Sequence, residues 1–316
     1  MTIVLNYRHK NERLEEAFRE LGHNVLYNVW DINAILAQKA DAVIFEFKQI
    51  LKEEIRFLKL SLRLKKAGIP RITWCLDIPN IGARQWKLSA ILQLRLVDIF
   101  ATHSIQGLSN SRCKIIYLPN AAWVSQYNLQ KFTLEEMRDP EFYTVDVSFI
   151  GNIDSIKHPE HQHRTEFLNS LGTLLERNNI SYHFADSRHL NINSQIELIQ
   201  KSRINLNYGC AADRYEIKSW GLPERCYGIP ACGGFLLADE RVHAKDDFKI
   251  DEEIAIFKDI NDCIDKIRYY IPNSEVRRRI TENAYKKVLS QHTYMHRAKK
   301  LMDIITSLKS CSVGGS

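Results

Sequence analysis

The sequence predicts an α/β protein of two doubly wound, Rossmann-like domains facing a central cleft, and three observations carry that expectation. Short apolar runs of strand length alternate with amphipathic stretches of helix length from the first residues onward. The alternation lapses over residues 122–145, which read as a linker, and restarts at Val145. A chain of 316 residues has room for two domains, each of about 150 residues and each able to bury a core.

Residues 3–5 open a strand. Asn11 is placed to cap a helix whose Leu14, Ala17, Phe18 and Leu21 share one face, and Gly22 ends it. Residues 24–27 and 42–45 read as strands, and 51–66 as a helix closed by Gly68 and Pro70. Residues 71–76 form a strand ending at Asp77-Ile78-Pro79, and 97–102 and 113–118 complete the first series. Residues 145–152 then form a buried strand running into a glycine turn. A helix over 164–177 follows, with Phe167, Leu168, Leu171 and Leu175 on one side. Further strands are expected at 181–184, 204–208, 235–238 and 254–257, and helices at 194–201, 261–271, 275–290 and 294–308. The tail 312–316 reads as disordered.

Composition narrows the function. A net charge of +6 and a pI near 8.8 suit an anionic ligand or a membrane surface, and are too weak to argue for nucleic acid. Seven cysteines are scattered, with no Cys-x-x-Cys pair. That pattern points to reduced thiols in a cytoplasmic protein and away from a disulfide frame or a zinc site. The N-terminus reads as a first strand, not a signal segment, and no apolar run reaches the ~18 residues of a membrane span.

The richest stretch is Gly221-Leu-Pro-Glu-Arg-Cys-Tyr-Gly-Ile-Pro-Ala-Cys-Gly-Gly-Phe-Leu-Leu-Ala-Asp239. It reads as a loop, a short helix with Pro223 in its first turn, a glycine pair and a buried strand. Gly233 and Gly234 are expected to end the helix with positive φ. A helix start at Gly221, Leu222 and Glu224 would aim free N–H groups and a positive dipole end at a phosphate. An ordinary connection between helix and strand would use the same residues.

Four motifs stand in order: Asp146-Val-Ser-Phe-Ile-Gly-Asn152, Asn205-Leu-Asn207, the run Arg225 to Asp239, and His292-Thr-Tyr-Met-His-Arg297. Together they resemble the CgeB-like, spore-maturation type glycosyltransferases, relatives of the group-1 enzymes. A looser match precedes them at Trp74-Cys-Leu-Asp-Ile-Pro79 and Tyr117-Leu-Pro-Asn-Ala121. The resemblance implies a GT-B architecture, a nucleotide-diphospho-sugar donor held mainly by the C-terminal domain, and no required cofactor or metal. The expected domains are 1–125 on the acceptor side and 126–290 on the donor side. A segment 291–316 carries a helix back toward the first domain.

Metal-free transfer needs backbone N–H groups and cationic side chains to meet the charge that develops on the diphosphate. Arg225 and Arg164 are the cations expected there, because a guanidinium grips phosphate oxygens bidentately. Gly151 and Asn152 would let backbone approach the donor, and a tight turn would use them equally well. Asn207 ends a strand at the same sheet edge, and Tyr227 lies in the same short helix. On the acceptor side Asp77 is the candidate base, with His103 its rival; each also reads as an ordinary turn residue. One departure from the group-1 pattern stands out. Gly228 and Trp220 occupy the places of two glutamates, with Glu224 one turn earlier as a substitute. An inactive sugar-nucleotide- or partner-binding protein is the alternative that departure raises.

Two stretches remain. His158, His161 and His163 cluster near Glu160 in what reads as an exposed loop, and no metal site is expected there. On 51–66 one stripe holds Leu51, Ile55, Leu58 and Leu62, and another holds Lys52, Arg56, Lys59, Arg63 and Lys66. The plain expectation is an apolar core face with a solvated basic face. The sharper one is a basic face on an anionic membrane that carries a lipid-linked acceptor. A surface glycan or a protein would serve as acceptor equally well, and the protein would be cytoplasmic or peripheral at the inner membrane face.

Overall fold

The computed structural model describes residues 1–80, 84–108, 111–214 and 217–313; the side chains of 160 and 311–313 are outside that description. The expectation for the tail 312–316 and the thiol of Cys311 therefore fall largely or wholly outside it. The chain divides into two compact units, Met1–Pro119 joined by the stretch from Tyr294 onward, and Asn120–Thr293.

The first unit is a parallel six-stranded sheet in the order β2-β1-β3-β4-β5-β6. Its elements run β1 (Thr2–Asn6), α1 (Glu12–Glu20), β2 (Asn24–Tyr27), α2 (Ile32–Ala37), β3 (Ala42–Glu46), α3 (Phe47–Lys66), β4 (Arg71–Cys75), α4 (Gln85–Gln93), β5 (Ile99–Thr102) and β6 (Lys114–Tyr117). The inner strands β1, β3, β4 and β5 are buried on both faces and largely apolar, while the edge strands β2 and β6 are partly exposed. Val43, Phe45, Phe57, Leu60, Leu64 and Phe100 form the core on one side. As expected, Asn11 caps α1 by accepting from the Leu14 N–H at 3.2 Å. The last helix, α11 (Tyr294–Val313), packs on α1. Its Arg297 Nε donates to the Pro119 carbonyl at 2.9 Å, and Lys309 pairs with Asp41.

Helix α3 departs from expectation. It breaks at Glu54 (φ 15°, ψ −87°). The face it buries holds Phe57, Leu60, Ser61 and Leu64, so Ile55, Leu58 and Leu62 are turned to solvent at 68%, 39% and 52% exposure. The periodicity was ambiguous because α3 carries two apolar stripes, and the one with the aromatic residue is the one buried. Each exposed residue forgoes up to ~1.5–3 kcal/mol of burial free energy.

The second unit is a parallel five-stranded sheet ordered β11-β10-β9-β7-β8. Its elements are β7 (Val145–Gly151), α5 (Gln162–Arg177), β8 (Tyr182–Asp186), α6 (Ile192–Gln200), β9 (Ser202–Asn207), α7 (Arg225–Ala231), β10 (Leu236–Asp239), α8 (Ala244–Asp247), β11 (Ala255–Phe257), α9 (Ile260–Tyr270) and α10 (Ser274–Gln291). Strand alternation divides its core. Leu236 and Ala238 face α6 and α7, while Leu237 faces the side packed by Leu168, Leu171 and Ile267. Residues 122–145, read as a linker, pack against this unit. They hold 3₁₀ turns at Glu136–Arg138 and Pro140–Phe142, a buried Met137, and a bridge from Ala122 to Thr293.

Candidate functional site

The candidate site lies at the carboxyl ends of the second unit's strands. The chain leaves β7 for β8 on one side and returns to β9 on the other, so the connecting loops part above β7 and β9. Such a switch point is where open α/β sheets bind ligands. Gly151 closes β7 and Asn207 closes β9.

Arg225, the first residue of α7, lies with its guanidinium 5.1 Å from the centre of the Phe149 ring. Its Nε and Nη2 donate to Asn207 Oδ1 at 3.2 and 2.9 Å, and Nη2 also donates to the Gly209 carbonyl at 3.1 Å. A Cβ on Gly151 would sit 2.7 Å from Arg225 Nη1, so a side chain there would displace the guanidinium. Arg164, in the first turn of α5, is buried at 5% exposure. Its Nε donates to the Tyr208 carbonyl at 3.0 Å and its Nη1 to the Asn152 carbonyl at 2.8 Å. The two arginines meet at Gly209, which has φ +71° and lies against the Arg164 guanidinium.

Each of these acceptors is neutral, and among the described residues no carboxylate forms an ion pair with either arginine. Burial, reinforced by the neighbouring Arg225, lowers Arg164 to about 10. Burial likewise lowers Arg225. Two guanidinium groups thus share a poorly solvated corner where Asp213 and Asp239 act on them only from a distance, both carboxylates being held by Arg241, and a bound dianion would supply the direct counter-charge.

The adjacent arginine is treated differently. Arg241, fully buried, donates through Nη2 to Asp213 Oδ2 at 2.8 Å and to Asp239 Oδ2 at 2.9 Å. Its Nη1 donates to the Ser219 carbonyl at 2.8 Å. Burial alone would raise Asp213, but Arg241 and two backbone N–H groups hold it well below the usual carboxylate range. Asp239 Oδ1 accepts from Asn207 Nδ2 at 2.8 Å, which fixes the amide so that its oxygen faces Arg225.

Of the residues singled out in the sequence, Gly151, Asn152, Arg164, Asn207 and Arg225 are brought together. Gly233 and Gly234 are not. They precede β10, at the amino edge of the sheet, where Cβ atoms would meet Met137 and Ile199 at 2.6 and 2.7 Å. Only Gly233 has positive φ, at +76°, so the glycine pair serves packing more than turning. Tyr227 is a core residue whose hydroxyl donates to Asp247 at 2.6 Å. Leu222 is fully buried, and its carbonyl accepts from Asn120. The expected helix N-terminus is also modest: α7 spans seven residues, Pro223 precedes it, and the Gly221 N–H already donates to Ser219. Glu224 sits at its N-cap without a capping bond to its own helix. Side chains, not the helix dipole, supply most of the positive charge here.

In the first unit Asp77 and His103 follow the adjacent strands β4 and β5. Asp77 Oδ2 takes Arg84 at 2.9 Å and Lys48 at 3.2 Å, and Oδ1 accepts from the Ile78 N–H at 3.0 Å. His103 is 1% exposed, with Nδ1 3.4 Å from the Cys75 carbonyl. Both oxygens of the candidate base are therefore occupied, and its rival is enclosed. Among the described residues no group of acids, cysteines and histidines could hold a metal ion, and the rings of His158 and His161 lie 5.8 Å apart, tilted by 38°. Gly209 and the Arg241 cluster escaped the sequence reading. The signal for Gly209 was there in Asn207-Tyr-Gly209, a glycine two residues past a strand end.

A glycosyl transferase-like family model matches residues 126–303, more than half of the chain. The chain belongs to that family. The glycosyltransferase-like match spans the β7, β9 and α7 segments that build the arginine site. Solved structures agree on the fold. Sucrose-phosphate synthase from Thermosynechococcus elongatus is 10% identical with a TM-score of 0.64, covering 98% of this chain and 100% of that one. The UDP-forming α,α-trehalose-phosphate synthase from Burkholderia vietnamiensis gives the same figures. HepE from Anabaena, solved with UDP and glucose, is 12% identical with a TM-score of 0.59, over 97% of this chain and 100% of that one. At these identities the likeness shows the fold, which is GT-B. No curated protein sequence matches the chain.

Proposed function

We propose that this glycosyltransferase-family chain moves a sugar from a nucleoside-diphosphate donor to an acceptor hydroxyl, with Arg164 and Arg225 holding the diphosphate. The observation that carries the reading is the pair of guanidinium groups at the β7–β9 switch point, bonded only to neutral acceptors among the described residues. In the transfer the acceptor oxygen bonds to the anomeric carbon, and the bond from that carbon to the diphosphate oxygen breaks. The electron pair leaves on the diphosphate, and the proton of the acceptor hydroxyl is given up to a base or to water. The charge it gathers falls where two cations are already fixed by Asn207, Tyr208, Gly209 and the Asn152 carbonyl. Those cations stand where a divalent ion would otherwise be needed, which supports metal-independent chemistry. HepE was solved with UDP-glucose, which supports a uridine donor here. The six described cysteines are free and buried, which supports a reducing, cytoplasmic setting. The ordered motifs favour the CgeB-like branch and a glycan, protein or lipid-linked acceptor.

Asp77 enters as base only if its acceptor displaces Arg84 or Lys48. A second reading, donor binding without transfer, is favoured by Gly228. No neighbour lies closer than 4.0 Å to a Cβ built there, so the place of the group-1 glutamate is open and unfilled. The test is calorimetric titration with UDP and UDP-glucose, followed by hydrolysis and transfer assays on the donor that binds. We expect binding that Arg225→Met and Arg164→Met each weaken at least ~10-fold. Absence of UDP binding by the parent protein would remove the uridine reading, and binding without turnover across acceptor classes would select the second.

A further inference from the structure

The face of α3 that the first unit leaves uncovered is apolar along its centre and basic along its edges. Past the break at Glu54, Ile55, Leu58 and Leu62 follow the spacing of one helical stripe, and all three are exposed. On a helical wheel Lys59, Arg63 and Lys66 fall on one flank of this stripe and Lys65 on the other, all exposed. The helix as a whole carries seven basic and two acidic residues. Both acids are engaged, Glu53 with Arg56 at 3.5 Å and Glu54 with Lys87. Lys52, Lys59, Arg63, Lys65 and Lys66 have no carboxylate partner among the described residues. The Glu54–Lys87 pair also brings the start of α4 alongside, and there Trp86 is 66% exposed.

A solvated helix gains nothing from a second apolar stripe, and a protein partner of ordinary composition would leave five like charges unmatched. An anionic bilayer matches both features. Apolar side chains enter the boundary between headgroups and acyl chains, long basic side chains reach back to lipid phosphates, and an indole suits the interface. We propose that this protein docks on anionic membrane surfaces through α3, with Ile55, Leu58, Leu62 and Trp86 inserted and the flanking lysines and arginine on the headgroups. The proposal is independent of the donor reading: it concerns the other unit and is read without any transfer assay.

The experiment is flotation of the full chain with vesicles of phosphatidylcholine alone and of phosphatidylcholine mixed with phosphatidylserine. The parent protein is expected to float only with the mixed vesicles, and less as salt is raised. The double variant Ile55→Ser/Leu62→Ser and the triple variant Lys59→Gln/Arg63→Gln/Lys66→Gln should each lower the partition coefficient at least ~10-fold. Every altered side chain is exposed, so circular dichroism and melting should match the parent. Failure of the parent protein to float with phosphatidylserine would overturn the proposal. So would flotation of the double variant equal to the parent's. A parent dimer that the double variant converts to monomer would overturn it too, by assigning the stripe to a second copy of the chain.

Discussion

Arg241 and the pair Arg164 and Arg225 stand at the same sheet edge, yet the protein surrounds them in opposite ways. Arg241 is locked between Asp213 and Asp239 and given a backbone carbonyl besides. Among the described residues Arg164 and Arg225 receive only carbonyl and amide oxygens, and they stand next to each other. A buried charge with its counter-charge is part of the scaffold, and its loss should be felt as stability. A buried or half-buried charge that bonds no carboxylate costs the empty protein something and is repaid when an anion arrives. Asn207 joins the two regions, since it donates to Asp239 and accepts from Arg225. The satisfied cluster thereby aims the unsatisfied pair.

The comparison breaks first at Arg241. Arg241→Ala leaves Asp213 and Asp239 buried without their cation, and the expected loss is ~3–5 kcal/mol in urea unfolding. A loss below ~1 kcal/mol would mean the cluster is not the scaffold described here. Asp213→Asn should cost less, because Asp239 still pairs with Arg241, and it adds a pH signature. The folded-state pKa of Asp213 is depressed. Its contribution is therefore complete above the ordinary carboxylate value of ~3.9 and drains away as pH falls toward the depressed folded value. The stability gap between parent and Asp213→Asn should stay level from neutral pH down to that range and narrow below it.

Arg225 should show the opposite sign. Arg225→Met removes a charge that bonds no carboxylate among the described residues, so the empty protein should stay within ~1 kcal/mol of the parent. UDP affinity should fall ~10- to 100-fold, the worth of one charge-assisted bond to phosphate. A large loss of stability with unchanged UDP binding would reverse the roles assigned to the two regions.

How much of this was legible in the sequence follows from what each feature depends on. The strands were legible because a parallel sheet buries both faces and writes a continuous apolar run, as at 42–45 within β3. Arg164, Arg225, Gly151 and Asn207 were legible as a set because motif spacing places them at strand and helix ends. The distinction between Arg225 and Arg241 was not, since it turns on which carboxylates come within reach in three dimensions, and Asp213 is 28 residues from Arg241 in the chain. The role of Gly233 and Gly234 was misread because glycine marks tight packing as readily as a phosphate turn. Helix α3 was misread for a related reason: periodicity shows that a stripe exists, and only packing shows which of two stripes is buried.

Gly209 is the finest test, because it touches both regions at once. Its carbonyl accepts from Arg225, while a Cβ built on it would lie 3.2 Å from Arg164 Nη2 and 3.4 Å from Asp213 Oδ2. With φ at +71°, alanine there carries a backbone cost of ~1–2 kcal/mol. Gly209→Ala should therefore lower stability by about that much. It should also push the Arg164 guanidinium by a few tenths of an ångström, for which we expect a UDP affinity drop of ~3- to 10-fold. If stability falls and affinity does not, Gly209 is only a turn, and the guanidinium beside it can move without consequence. If affinity falls along with stability, the turn that lets β9 end is also what holds the two cations at the spacing a diphosphate requires.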